Sequence, residues 1–174
     1  DAPSPDQAAL EQVRQAVERL LPGTGDAAAR LEAFEADLTV PAPRLPAVFE
    51  RALAECRTRT HARVPLPPGE AVTVKYVVGE PWSGFSTYEG HGRSTVSVNT
   101  SYPLTVDRVL QLACHEGYPG HHVINVLRDT LAGSARPELE AVPLFTPEAY
   151  ETEAIAARAT SLVFTDSERA AFER

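Results

Sequence analysis

Apolar residues follow two different periods along this chain, and the change of period divides it. Ala8, Leu10, Val13, Val17, Leu20 and Leu21 keep the three-to-four spacing of an amphipathic helix, capped at Ser4-Pro5-Asp6 and ended by Pro22-Gly23. The spacing predicts a second helix from about Asp26 to Asp37. A third, from Ala47 to about Arg59, carries Val48, Phe49, Leu53 and Cys56 after a connector holding Pro41, Pro43 and Pro46. Pro65, Pro67, Pro68 and Gly69 then break the pattern. Residues 1–64 are therefore expected to form an N-terminal helical part, and residues 65–174 a sheet joined to further helices.

From Ala71 the period is two. Val72, Val74, Tyr76 and Val78 alternate with other residues, and Val96 and Val98 do so between Ser94 and Thr100, predicting two strands with a turn-rich connection. An antiparallel pair or small sheet is expected. Thr105 can cap the next helix, with Asp107 in its first turn. Val106, Val109, Leu110, Leu112, Ala113 and Cys114 leave that helix almost no polar face, which suits a position at the centre of the domain. A break at Gly117 to Gly120 separates it from a second apolar stripe, Val123, Val126, Leu127 and Leu131, ending at Gly133. After a proline-containing connector from Pro137 to Pro143, Thr146-Pro147 starts a helix expected to run to about Phe164. The fold class expected is α+β, mostly helical, with a small antiparallel sheet beside the helix that ends at His115.

Composition narrows the function classes. At 174 residues with 43% hydrophobic content, the chain is long enough for a real core. A formal net charge of -8 without basic runs argues against nucleic acid or an anionic membrane surface as partner. No apolar run approaches the roughly 20 residues of a membrane-spanning helix, and no signal sequence stands at the start, so a soluble protein, cytoplasmic or exported, is expected. The sequence has no methionine and stops within a helical pattern from Ser167 to Arg174, which reads as a fragment of a longer protein. Cys56 and Cys114 are too few for a disulfide scaffold and each lies in an apolar helical pattern; buried thiols are expected, with a disulfide left open.

The chemistry concentrates in His115-Glu116-Gly117-Tyr118-Pro119-Gly120-His121-His122, which holds three of the five histidines. In zinc peptidases of the H-E-x-x-H kind, two imidazoles one helical turn apart bind the metal and the intervening glutamate is the general base. An unbroken helix would turn His121 roughly 120° away from His115, and would carry His122 about 10 Å along the axis. Pro119 cannot donate to the carbonyl of His115, and Gly117 and Gly120 permit tight bending, so a bulge or loop here can return a histidine to His115. Either His121 or His122 can be that second ligand. Of the later carboxylates, Glu148 is explained by the first turn of its helix, and Glu151 shares a face with Ile155, Arg158 and Leu162. Glu153 lies among Tyr150, Ala156, Ala157 and Thr160, mostly small side chains that let another helix approach, and is the choice for a third ligand. His91, between two glycines, reads as an exposed loop residue, and His61 as the end of a solvated helix.

The eight-residue stretch resembles the H-E-x-x-P-G-H-H signature of the bacterial family catalogued as domain of unknown function 885, regarded as zinc peptidase-like. Glu153-Ala154-Ile155-Ala156 resembles that family's E-G-x-A segment, with Ala154 in place of its glycine and Ala157-Arg158 in place of its Asn-Tyr. The resemblance covers roughly residues 47 to 174. It implies a zincin-like fold of the glutamate-ligand type, one Zn2+ per chain held by His115, His121 and Glu153, and Glu116 as general base. The substrate implied is a peptide or small amide, held by strand addition along residues 94 to 100. Tyr88, Tyr118, Tyr150, His122 and Arg158 are the candidates for oxyanion, substrate or supporting contacts. Two other readings remain: a metal-dependent hydrolase of another amide or ester, and a non-catalytic peptide-binding module on the same fold.

Overall fold

Asp6 and Asp26 each accept a backbone N–H from the first turn of the helix they precede, from Ala8 and Ala29 respectively. These caps open α1 (Gln7–Leu20) and α2 (Ala27–Leu38). The computed structural model describes residues 6–139 and 145–174, and its contacts divide at Thr39/Val40 into two units. In the first unit the Arg30 side chain donates to the carbonyls of Glu18, Leu21 and Pro22, satisfying the free end of α1. No residue of α1 or α2 is buried, despite the apolar stripe along α1.

The second unit holds the core. Its first helix, α3 (Leu45–His61), buries Leu45, Phe49, Ala52, Leu53 and Cys56 along one face. That face meets Val109, Leu110, Leu112, Ala113 and Cys114 of α4 (Val106–Glu116), together with Val96 and Val98 from the sheet. The helix expected to belong with the N-terminal part thus packs with the site-bearing elements, because its apolar stripe finds its partner on α4. Cys56 and Cys114 are joined in a disulfide with Cα atoms 5.7 Å apart, so the expectation of two thiols is corrected: both stripes place their cysteine at the point where the two helices meet.

The sheet is mixed. Strand β1 (Ala71–Val77) runs parallel to β3 (Arg93–Asn99), and β2 (Gly84–Gly90) runs antiparallel to β3 on its other side, giving the order β1-β3-β2. The antiparallel pair expected from the two visible alternations is corrected: the connection between them contains β2, whose glycines at both ends hide its alternation. His91 and Gly92 turn β2 into β3 with positive φ values of 52° and 72°. β3 is central and hydrogen-bonded on both sides, so residues 94 to 100 cannot accept a further strand. Among the described residues the outer edges of the sheet are those of β1 and β2.

After α4 come α5 (His121–Ala135) and α6 (Pro147–Ala157), the latter capped by Thr146, whose side chain accepts from the Ala149 N–H. The single helix expected to reach Phe164 is interrupted at Arg158 (φ -98°, ψ 1°), where α7 (Ala159–Val163) begins. A capping box of Thr165 and Glu168 starts α8 (Asp166–Phe172). No helix of the described residues is long and apolar enough to cross a membrane.

Candidate metal centre

The break between α4 and α5 is built from close backbone approach. Gly117 ends α4 with its N–H on the Ala113 carbonyl, the Tyr118–Pro119 peptide is cis, and the Gly120 N–H reaches back to the Cys114 carbonyl at 2.9 Å. A Cβ on Gly120 would lie 1.9 Å from the His115 carbonyl oxygen, and one on Gly117 would lie 2.4 Å from the Leu53 side chain. Glycine is required at both positions by space. This fold-back carries α5 away from the α4 axis and returns its first residue, His121, to the last turn of α4.

His121 Nε2 then stands 3.1 Å from His115 Nε2, with the rings edge to face. Glu153, delivered by α6, puts Oε1 3.1 Å from His121 Nε2 and Oε2 3.5 Å from His115 Nε2. All three residues offer a ligand atom within 4.8 Å of the others. For a tetrahedral ion with bonds of about 2.0–2.1 Å, donor atoms sit about 3.3–3.4 Å apart; the two imidazole nitrogens are close to that length, and Glu153 reaches each ring with a different oxygen. Protonation points the same way. The His115 ring hydrogen-bonds the backbone of Ala156, and because Nε2 faces the cluster, Nδ1 is the nitrogen left to donate. Burial depresses the pKa of both His115 and His121, favouring the neutral rings a cation needs. Two imidazoles and a carboxylate therefore converge, a residue set that fits a cation once the hydrogen that His121 shares with Glu153 is displaced.

Glu116 is buried beside this cluster, with 7% of its surface exposed. Burial, reinforced by the charge of Glu153, raises its pKa to about 7, while a hydrogen bond from the Ser86 backbone N–H on β2 opposes the shift. A carboxyl group poised near neutral pH can both take up and release a proton.

The remaining candidates separate. His122 is fully buried with both ring nitrogens engaged: Nε2 lies 2.7 Å from Glu70 Oε2 and Nδ1 lies 2.8 Å from Ser94 Oγ. The carboxylate cannot donate, so Nε2 carries the hydrogen and Nδ1 accepts from the serine hydroxyl. The structure brings His121, and not His122, to His115 and Glu153. Tyr118 is buried, and its hydroxyl donates to Glu70 Oε2 at 2.5 Å. Tyr88 donates to Asp129 at 2.7 Å and accepts from the Gly92 N–H, clasping the β2–β3 turn to α5. Tyr150 is largely exposed on α6. Arg158 lines a cleft of about 270 Å³ with Gln111, Thr160 and Arg169. Gln111 lies one turn of α4 before His115, but none of the three cluster residues lines this cleft.

Sequence reasoning missed Glu70. It stands between the proline-rich boundary and β1, with no periodicity to mark it, yet its side chain is only 1% exposed. Besides Tyr118 and His122, it accepts from Arg57 at 2.8 Å and contacts His61 Nε2 at 2.9 Å. His61 is therefore part of a buried carboxylate's shell and not simply a solvated helix end. Burial alone would raise the Glu70 pKa; the four hydrogen bonds outweigh it and lower the value to about 2.

Neither a protein-family model, a characterised protein nor a solved structure matches the chain.

Proposed function

We propose that this protein is a metal-dependent hydrolase, with zinc as the metal and a peptide or another amide as substrate. One observation carries the proposal: His115, His121 and Glu153 bring two imidazole nitrogens and a carboxylate oxygen within 4.8 Å of one another beside the buried Glu116 carboxyl group. The same reading takes the α+β fold as zincin-like and the chain as a relative of the domain of unknown function 885 family.

His115, His121 and Glu153 would hold the ion, which when bound supplies Lewis acidity and a nucleophile at neutral pH. Glu116 takes the proton released in the attack and passes it to the leaving amine, a transfer that its raised pKa suits in both directions. The Ser86 N–H steadies the Glu116 carboxylate from β2. That strand also supports a peptide as substrate, because its outer edge is unpaired among the described residues while its backbone touches the base.

Elemental analysis of protein purified without added metal should find one zinc per chain, and a panel of peptides and simple amides tests turnover of the loaded protein. Hydrolysis of amides or esters but no peptide would favour the broader hydrolase. Stoichiometric zinc without any turnover would favour a binding module, and failure to take up zinc would sink the proposal.

A further inference from the structure

We propose that Glu70 is a positioning residue for the metal pair: it clamps both flanks of the α4–α5 break and so sets the separation of His115 and His121. This inference rests on the metal-site reading and deepens it.

Tyr118 and His122 flank the Pro119-Gly120-His121 segment, and both donate to the same oxygen, Glu70 Oε2, at 2.5 Å and 2.7 Å. A single atom thus fixes the chain immediately before and after the turn that presents His121. The other oxygen, Oε1, is anchored from α3 by Arg57 and His61, so the clamp itself is held from outside the break. The Tyr118 and His122 rings also pack edge to face with centroids 4.8 Å apart, and the Arg57 guanidinium lies 5.7 Å from the Tyr118 ring centroid.

The arrangement has a second effect, on ligand choice. Because Glu70 takes the hydrogen on His122 Nε2 and Ser94 supplies one to Nδ1, neither nitrogen of His122 is available to a cation. Its neighbour His121, one residue earlier on the same helix, is the one whose Nε2 faces His115 and Glu153. Ser94, His122 and Glu70 have the composition of a nucleophilic triad. All three are buried, with Ser94 at 1% and His122 at 0% exposure, so no substrate reaches the hydroxyl and the trio acts as a tie.

Glu70→Gln keeps the packed volume but replaces one acceptor oxygen by a donor, which cannot satisfy Tyr118, His122, Arg57 and His61 together. The test is a Co2+ titration of the metal-free protein followed through the visible d–d absorption of the bound ion, alongside thermal unfolding of the metal-free form. Wild type should bind one Co2+. Glu70→Gln should bind it about 10- to 100-fold more weakly, the range for partners that orient ligands from outside, and with an altered absorption spectrum. Tyr118→Phe, which keeps the carboxylate and releases one flank, should show a smaller change of the same kind and carries the test if Glu70→Gln fails to fold. A lower unfolding temperature with unchanged Co2+ affinity and spectrum would mean that Glu70 only stabilises the fold, and would overturn the inference. If wild type itself takes up neither Co2+ nor Zn2+, the metal-site reading fails first and the positioning role falls with it.

Discussion

The two adjacent histidines, alike in sequence, have opposite surroundings. His121 Nε2 faces His115 and Glu153, whereas both nitrogens of His122 are spent on Glu70 and Ser94. His121→Ala should therefore abolish stoichiometric zinc in elemental analysis with the fold retained by circular dichroism. His122→Asn should still load one zinc at saturating metal while lowering stability by about 1–3 kcal/mol, the cost of leaving buried partners poorly paired. Glu116→Gln separates binding from chemistry: zinc content should be unchanged and turnover should drop by roughly 100-fold or more, the contribution of a positioned base. Unchanged turnover would remove Glu116 from the mechanism. Arg158 lines a cleft that none of the three cluster residues lines, so Arg158→Ala should leave the zinc content unchanged in elemental analysis.

Among the elements, the break between α4 and α5 decides whether the two imidazoles meet. Gly120→Ala would push a methyl group into the His115 carbonyl, and the expected result is a stability loss of about 3 kcal/mol or more together with lost zinc, measurable by chemical denaturation and metal analysis. The sequence made this break legible through Pro119 and its two glycines, and the apolar stripes of α3, α4 and α5 were equally plain. Less legible were features that depend on long-range pairing. β2 lacks a strong alternation, and a parallel β1–β3 pair cannot be told from an antiparallel one by local pattern. The interruption at Arg158 has no proline or glycine to announce it. Glu70 escaped for a related reason: a lone carboxylate in a turn becomes central only when four donors from α3 and the α4–α5 break converge on it.

For the second unit taken whole, stability should depend on two ties that bridge distant parts of the chain. The Cys56–Cys114 disulfide spans 58 residues, so a Cys56→Ser, Cys114→Ser variant should lose on the order of 4 kcal/mol by the loop-entropy argument, read as a lower denaturation midpoint. Glu70 provides the other tie, and its pH dependence has a definite sign. Its carboxyl pKa is lowered from 4.5 to about 2 in the fold, so the stabilisation is fully present above 4.5 and disappears as pH falls through about 2. The amount is on the order of 3 kcal/mol, and Glu70→Gln should flatten the acid limb of the stability curve by that much. A different consequence follows from how α6 is attached. Only Ala156 of that helix is buried, and Glu153 remains 63% exposed, so few apolar contacts fasten it to the histidine-bearing helices. An ion gripped by Glu153 would act as a rivet, and chelation should quicken amide hydrogen exchange in α6 while leaving the disulfide-braced α3 and α4 slow.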